Sequence, residues 1–383
     1  MPAKGTELRA TRAVVRLDRF AENLAAVRRR VGDRRRICAA LKADAYGHGA
    51  AEIARAAVAG GADCLGVATV EEGAALRAAG ITAPVLLLSQ ALPGEIPAIV
   101  EHRLSPAVSD AAFAGMLGEA AVKAGVRLPV HLKIDTGMGR LGCTPADAPS
   151  LAAAIAGNAG LEHAGTATHF AVADSPEPAD VAYTRRQTAV FVSALDAIRT
   201  AGFKVGIVHA ANSGAVALHP EAWFDMVRPG IALYGYAVAA SGDPALPALT
   251  VTPVMELRTK VVLMRKVASG DSVSYGRTWV AGRDTTVAVL PAGYADGLPR
   301  TASNRWQAVI GGRAYPLVGT ICMDQCMADL GPAPDVRRWD DAVIFGGKAC
   351  GADLLAEAAG TIPYEVLCNV SRRVPRVYEG AVT

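Results

Sequence analysis

Short apolar runs and helical stretches alternate along the first two thirds of the chain. The apolar runs are ICAALK (37–42), CLGVA (64–68), PVLLLS (84–89), LSPAV (104–108), PVHLKI (129–134), EHAGTATH (162–169), VGIVHA (205–210) and MVRPGIALY (226–234). Their length and composition predict strands. Between them, residues 48–60, 71–79, 110–125, 146–157 and 180–201 carry a helical pattern, and Ser109-Asp110 and Thr144-Pro145 are helix start signals. The stretch 93–101 has the weakest helical pattern of the series. Strand–helix alternation implies parallel pairing through helical crossovers. Eight such units are the count of a closed, eight-stranded parallel α/β barrel of the TIM type rather than an open doubly wound sheet.

Near residue 240 the pattern changes. AASGDPALPALTVTP (239–253) reads as a linker, and beyond it strand-like runs are separated by turn residues: VMELRTKVVLMRKV, SVSYG, TTVAVLPAG, WQAVIGG, AYPLVG and DAVIFGG, with a short helical stretch at 353–359. The expected organisation is an α/β barrel over 12–244 and a mostly β domain over 245–383, with residues 1–11 packing on the latter. RAVVRLD (12–18) is a strand candidate that could join either part.

Composition narrows the function classes. Among 383 residues, 39 Lys+Arg against 36 Asp+Glu give a net charge of only +3, so there is no electrostatic footprint for nucleic acid. An apolar content of 51% excludes a disordered chain. The seven cysteines are scattered, and Cys322 and Cys326 lack a second Cys/His pair, so they read as buried thiols rather than disulfides or a zinc site. No signal-peptide core and no apolar run of about 18 residues is present, which reads as a soluble, cytoplasmic protein without a membrane partner.

In a barrel of this kind reactive groups gather at the C-terminal ends of the strands. Lys42, Arg140, His169, His209 and Arg228 fall there, with Asn212 and Ser213 close by, and no Asp/Glu cluster accompanies them. That set suits an anionic substrate and an anionic cofactor, not a metal. Lys42 at the end of an apolar strand is either a desolvated nucleophile fit for Schiff-base chemistry or a rim lysine paired with Asp44. Ser213-Gly214 and Arg228-Pro229-Gly230-Ile231 offer backbone N–H groups and close approach to a phosphate, in the place where barrels of this type usually bind one.

These segments resemble a known family. LKADAYGHG, DTGMGRLG, THFAVAD, HAANSGA, RPGIALYG, SYGRTW, LPAGYADGLPR, GTICMDQ and PYEVLC, in order between about residues 12 and 378, are similar to alanine racemases. The resemblance implies a pyridoxal 5'-phosphate enzyme, a barrel followed by a β domain, and a homodimer with shared active sites. It implies that Lys42 holds the cofactor and that Tyr275, supplied by the partner subunit, is the second catalytic base; by residue type alone a strand tyrosine is a packed ring. Tyr46, Ser213, Gly230, Ile231 and Tyr364 match the phosphate cradle, and Arg228 the partner of the pyridine nitrogen. Arg140 and the backbone at Met323 of the partner subunit match the holders of the substrate carboxylate. His169 and His209 match supporting residues near the cofactor, His209 fixing Arg228, while Tyr294, Arg300 and Asp324 match the access channel. Lys133 matches a lysine that is carbamylated in some relatives; otherwise it is an unmodified, ion-paired lysine.

The implied reaction interconverts L- and D-alanine, supplying D-alanine for peptidoglycan synthesis or degrading it. Removing a proton from one face and returning it to the other calls for two bases, which accounts for Lys42 and Tyr275 together. Arginine can only donate, so Arg228 would leave the pyridine nitrogen unprotonated and disfavour side reactions such as transamination. Amino-acid decarboxylases of the same fold place an acid at that position. The remaining rivals are a serine or broad-specificity racemase and a non-catalytic cofactor carrier; the second domain with Tyr275 argues against a carrier.

Overall fold

Eight parallel strands close into a barrel in the computed structural model, which describes residues 9–236, 248–347 and 349–381. The strands are Arg36–Ala40, Cys64–Val67, Val85–Leu87, Ser105–Val108, Leu128–Lys133, Leu161–Ala167, Ile207–His209 and Met226–Val227, and the last pairs with the first. Each lies within an apolar run of the sequence or one residue beyond it. The eighth is the shortest, because Pro229 lacks an N–H and the chain turns at Gly230 into a single 3₁₀ turn, Ile231–Tyr234. Arg228 therefore comes just after the strand instead of lying within it.

The helices Ala50–Ala59, Val70–Ala78, Ala111–Lys123, Ala148–Ala156 and Pro178–Thr200 cover the barrel. Asp110 starts its helix by accepting the Phe113 N–H at 2.7 Å. Thr144 instead accepts from Asp147 in a turn, and that helix begins at Ala148. The weak 93–101 pattern forms a 3₁₀ turn and a short helix, Ile96–Glu101. Ile37 and Ala39 face the helices, whereas Cys38 joins Leu86 and Met226 in a separate cluster, as strand alternation requires of an interior residue. This cluster, with Cys64, Leu88 and Ile207 against it, fills the barrel with side chains.

Sequence reasoning missed the helix Leu17–Val31. Its buried Phe20, Leu24, Val27 and Val31 recur at helical spacing, but they come directly after a strand and its pattern hides theirs. That strand, Arg12–Arg16, has three consecutive buried residues. It runs antiparallel to Met255–Lys260 and parallel to Arg376–Glu379. Residues 12–16, placed at the start of the barrel unit but open to either part, thus lie in a sheet built by the other half of the chain, because both edges of this short strand find partners there. The order of that six-stranded sheet is Arg313–Pro316, Gln307–Ile310, Asp341–Phe345, Met255–Lys260, Arg12–Arg16, Arg376–Glu379. A second sheet joins Leu263–Val267, Thr285–Leu290 and Cys326–Gly331. The expected boundary at 244–245 and residues 1–8 lie outside the described residues; Arg9, next in the chain, bridges to Asp296 of the β-rich half at 2.6 Å. All seven cysteines are free thiols; Cys38, Cys143, Cys326 and Cys350 are buried, whereas Cys64 and Cys322 are half-buried and Cys368 is exposed.

Candidate active site

The C-terminal ends of the barrel strands surround a cavity of about 240 Å³, lined by Ala40, Lys42, Tyr46, Ala68, Leu88, Ser89, Lys133, Arg140, Leu141, His169, Asn212, Ser213, Arg228, Gly230, Ile231 and Tyr364. Four cationic side chains line it and no carboxylate does. The chain is nearly neutral overall, yet this wall is strongly biased toward anions.

Lys42 stands at the start of an unusual turn. Ala43, Asp44, Ala45 and Tyr46 all have φ of 53–54°, a single turn of left-handed helix made without glycine. Left-handed residues cost about 1–2 kcal/mol each, on the order of 4–8 kcal/mol for the turn. The surroundings must impose it. Within the turn Ala45 N–H donates to Leu41 O at 2.8 Å and Gly47 N–H to Ala43 O at 2.9 Å. His48 Nδ1 lies 3.0 and 2.9 Å from the Ala45 and Tyr46 carbonyls, and Arg376 Nε donates to Gly47 O at 3.0 Å. A side chain at Gly47 would collide with the Leu367 carbonyl, and one at Gly49 with the Tyr378 hydroxyl. Asp44 does not pair with Lys42: it accepts the Ala50 N–H at 2.7 Å. The rim ion pair considered for Lys42 is therefore not formed. Burial, reinforced by Arg140, lowers the Lys42 pKa, which increases the share of neutral amine.

Arg228 is buried without a carboxylate partner among the described residues. Its Nη1 donates to His209 Nδ1 at 2.8 Å, and Nη2 donates to Thr168 O at 2.9 Å, Ala210 O at 3.0 Å and His169 Nδ1 at 3.2 Å. Arginine has only donors, so His209 Nδ1 must be bare and its Nε2 must carry the proton. That proton is donated to His131 Nδ1, 2.8 Å away. A neutral histidine pair thus holds the guanidinium in one orientation. Burial lowers the pKa of His131 to about 3, drives His209 and His169 well below the usual histidine range, and lowers Arg228 to about 10. His131 escaped sequence reasoning because it sits mid-strand, in PVHLKI, and not at a strand end. Its signal was the alternation that places it on the same face as Lys133.

Lys133 is 9% exposed and has no ion pair among the described residues. Burial and the neighbouring Arg228 and Arg140 push its pKa well down. Arg140 is exposed on the cavity wall, and no described residue bonds its guanidinium.

Opposite, Ser213 Oγ accepts the N–H groups of Gly230 at 2.9 Å and Ala232 at 3.2 Å, leaving its own O–H to donate. The N–H groups of Ser213 and Ile231 open helical turns and have no acceptor within them. Tyr46 stacks on Tyr234 at 4.5 Å and faces Gly230 so closely that a Cβ there would lie 2.3 Å from its hydroxyl. Burial raises the pKa of Tyr46 and that of Tyr364, the latter to about 12, so both are neutral donors.

Five expected residues lie elsewhere. Tyr275 and Met323 are 71% and 52% exposed and do not line the cavity. Tyr275 is thus not a packed ring; it borders a separate groove between Arg265 and Met327. Tyr294 and Arg300 are exposed on one loop, and Asp324 pairs with Arg373 at 2.7 Å. Asp296, not anticipated, organises this region: buried, it accepts from Arg9, Arg373 and the Gly293 N–H.

Models of the alanine racemase N-terminal and C-terminal domains match residues 15–238 and 254–378. This chain belongs to the alanine racemase family. It is 46% identical over 377 residues to the alanine racemase of Treponema denticola, covering 97% of this chain and 98% of that one, and 45% identical to that of Treponema pallidum, covering 96% and 98%. The crystal structure of the alanine racemase from the D-cycloserine producer Streptomyces lavendulae superposes with a TM-score of 0.90 at 38% identity, covering 98% of each chain. The fold expected from the strand–helix pattern, a closed barrel followed by a mostly β domain, is that of this family, and the chain is an isomerase of the alanine racemase type. No helix among the described residues is long and apolar enough to cross a membrane. No group of three or more metal-ligating side chains occurs among them either.

Proposed function

We propose that this chain interconverts L- and D-alanine with pyridoxal 5'-phosphate, as a cytoplasmic homodimer, using Lys42 and Tyr275 of the partner subunit as the two bases. The observation that carries this reading is the cavity wall: a desolvated lysine beside three further cations and no carboxylate.

The residues present fit the cofactor. The unspent donors of Ser213, Ile231, Tyr46 and Tyr364 form a cradle for a phosphate, and Gly230 allows backbone approach. Arg228 keeps its Nε–H free of any described acceptor on the cavity wall. The chemistry that pyridoxal phosphate supplies when bound is acidification of the α-proton of an attached amino acid.

The chain's own groups do the rest. Lys42 Nζ, whose pKa burial lowers, removes or returns the proton on one face. The Tyr275 oxygen of the partner subunit does so on the other. Support for a shared site comes from the exposure of Tyr275 outside its own chain's cavity. Arg140 has a free guanidinium for the substrate carboxylate, and the Met323 N–H of the partner subunit would join it. Arg228, a donor with no proton to accept, leaves the ring nitrogen unprotonated and favours return of the proton to Cα. His209 and His169 hold it, with His131 behind them. Lys133, whose pKa burial pushes well down, is suited in its neutral form to add to carbon dioxide: a N–C bond forms, one proton leaves, and the carbamate anion would sit among Arg140 and Arg228. Tyr294, Arg300 and Asp324 would border the access channel from the partner side.

The test is incubation of the purified, pyridoxal-phosphate-loaded protein with L-alanine and chiral analysis of the product. D-Alanine is the expected product. Absence of D-alanine overturns the reading, and a Tyr275→Phe variant that keeps both directions of turnover overturns the two-base assignment.

A further inference from the structure

The left-handed turn that carries Lys42 opens, like any helix, with N–H groups that no carbonyl of the turn can reach. A carboxylate from another part of the barrel meets one of them. Glu72 Oε1 accepts the Ala43 N–H at 2.6 Å, while Oε2 accepts the N–H groups of Ala68 at 2.8 Å and Thr69 at 3.3 Å. One side chain ties the turn after the first barrel strand to the end of the second. Capping of the Val70–Ala78 helix requires only the reciprocal bonds between Thr69 and Glu72. The bond to Ala43 goes beyond that need. Within the turn, Asp44 is committed to Ala50 and the other residues with positive φ are two alanines and Tyr46, so nothing local replaces Glu72.

We propose that Glu72 is a positioning residue: its carboxylate caps the left-handed turn from outside and thereby holds Lys42 aimed into the barrel mouth. Glu72 does not line the cavity, so it acts through the backbone. This inference rests on the reading of Lys42 as the residue that carries the cofactor. Glutamine is a poor substitute, because one end of its amide is a donor and would face an N–H on one side or the other.

Glu72→Gln and Thr69→Ala test the proposal in the cofactor-loaded protein. Amide exchange across residues 43–49, affinity of the apoprotein for pyridoxal phosphate, and kcat and KM for alanine are the readouts. For Glu72→Gln, exchange in the turn and the cofactor Kd are each expected to rise roughly tenfold or more, the effect of losing a charge-assisted hydrogen bond. The value of kcat falls while KM for alanine holds. Thr69→Ala weakens only the helix cap and is expected to lower thermal stability while leaving exchange in the turn and the cofactor Kd unchanged. Wild-type exchange and Kd in Glu72→Gln overturn the proposal, and so does a Thr69→Ala variant that reproduces both changes. Borohydride reduction and peptide mapping of the wild-type protein keep the two readings apart. A label on a residue other than Lys42 overturns the role of Lys42, and with it the reaction role of Glu72, whatever the exchange shows. A label on Lys42 with unchanged exchange in Glu72→Gln overturns Glu72 alone.

Discussion

Acidification is expected to destabilise this protein well above the range in which carboxylates titrate. His48 and His131 are buried, and burial lowers their pKa values to about 4 and about 3. An unfolded histidine titrates near 6.5. Between those values the unfolded chain binds a proton that the folded chain does not, so stability rises with pH across this window and is lost as pH falls through it. Going from about pH 7 to about pH 5.5, linkage gives a loss of about 1.2 kcal/mol for each such histidine, or roughly 2.4 kcal/mol for this pair. His169 and His209 are shifted in the same direction and add to the loss. The lowered carboxylates Asp135, Asp296 and Glu256 act with the same sign, but only below about pH 5. Urea unfolding followed by far-ultraviolet circular dichroism at the two pH values measures the difference. His131→Gln removes one of the groups, so its loss over the same interval is expected to be smaller by about 1.2 kcal/mol, whatever its absolute stability. A wild-type protein equally stable at both pH values, or a variant with the same pH slope, would refute the tautomer assignment that keeps His131 neutral behind His209 and Arg228.

Three further outcomes can be checked. Gly230→Ala places a Cβ 2.3 Å from the Tyr46 hydroxyl, and overpacking of this kind costs about 1–3 kcal/mol. Thermal stability followed by circular dichroism should fall accordingly, and Tyr46→Phe in the same chain, which removes the clashing hydroxyl, should restore part of it. Arg228→Glu introduces an acceptor where only a donor stands, so racemisation should drop and pyruvate formed from alanine by transamination should rise, detected by a coupled assay; unchanged partitioning counts against the role of Arg228. Mixing inactive Lys42→Ala and Tyr275→Phe chains, unfolded and refolded together, should regain about a quarter of wild-type activity if sites are shared, because half the dimers then hold one intact site out of two; no recovery contradicts the shared site.

The barrel was readable because its strands, buried on both faces, are short continuous apolar runs that helical stretches separate cleanly. The site residues at strand ends, Lys42, Arg140, His169 and Arg228, were readable for the same reason: the fold directs the segment after each strand toward one cavity. Three features were not readable. The helix Leu17–Val31 abuts a strand without a turn signal, so two periodicities merge. The left-handed conformation of Ala43–Tyr46 leaves no trace in residue type, since alanine, aspartate and tyrosine all prefer other conformations; it is imposed by Glu72 and Arg376 from distant parts of the chain, together with the ring of His48 just beyond the turn. Asp296 and His131 act mainly through tertiary partners, and a motif names a residue without saying what it holds.

The strained turn and the unpaired cations share one physical logic. A buried guanidinium and two desolvated lysines without carboxylates are each unfavourable in the free protein, and burial lowers the pKa of all three. Filling the cavity with acidic side chains would relieve them, but it would also neutralise the field that favours an anion and raise the lowered pKa of both lysines. The histidine pair resolves this differently. It satisfies the Arg228 donors while remaining neutral, so the positive charge stays available to a ligand. The carboxylates that the region does contain are directed at backbone instead: Glu72 at Ala43, Ala68 and Thr69, Asp44 at Ala50, Asp135 at Gly137, Met138 and Gly139. Acids shape the loops and cations face the cavity, and that division lets a chain of nearly zero net charge present a strongly anion-selective site.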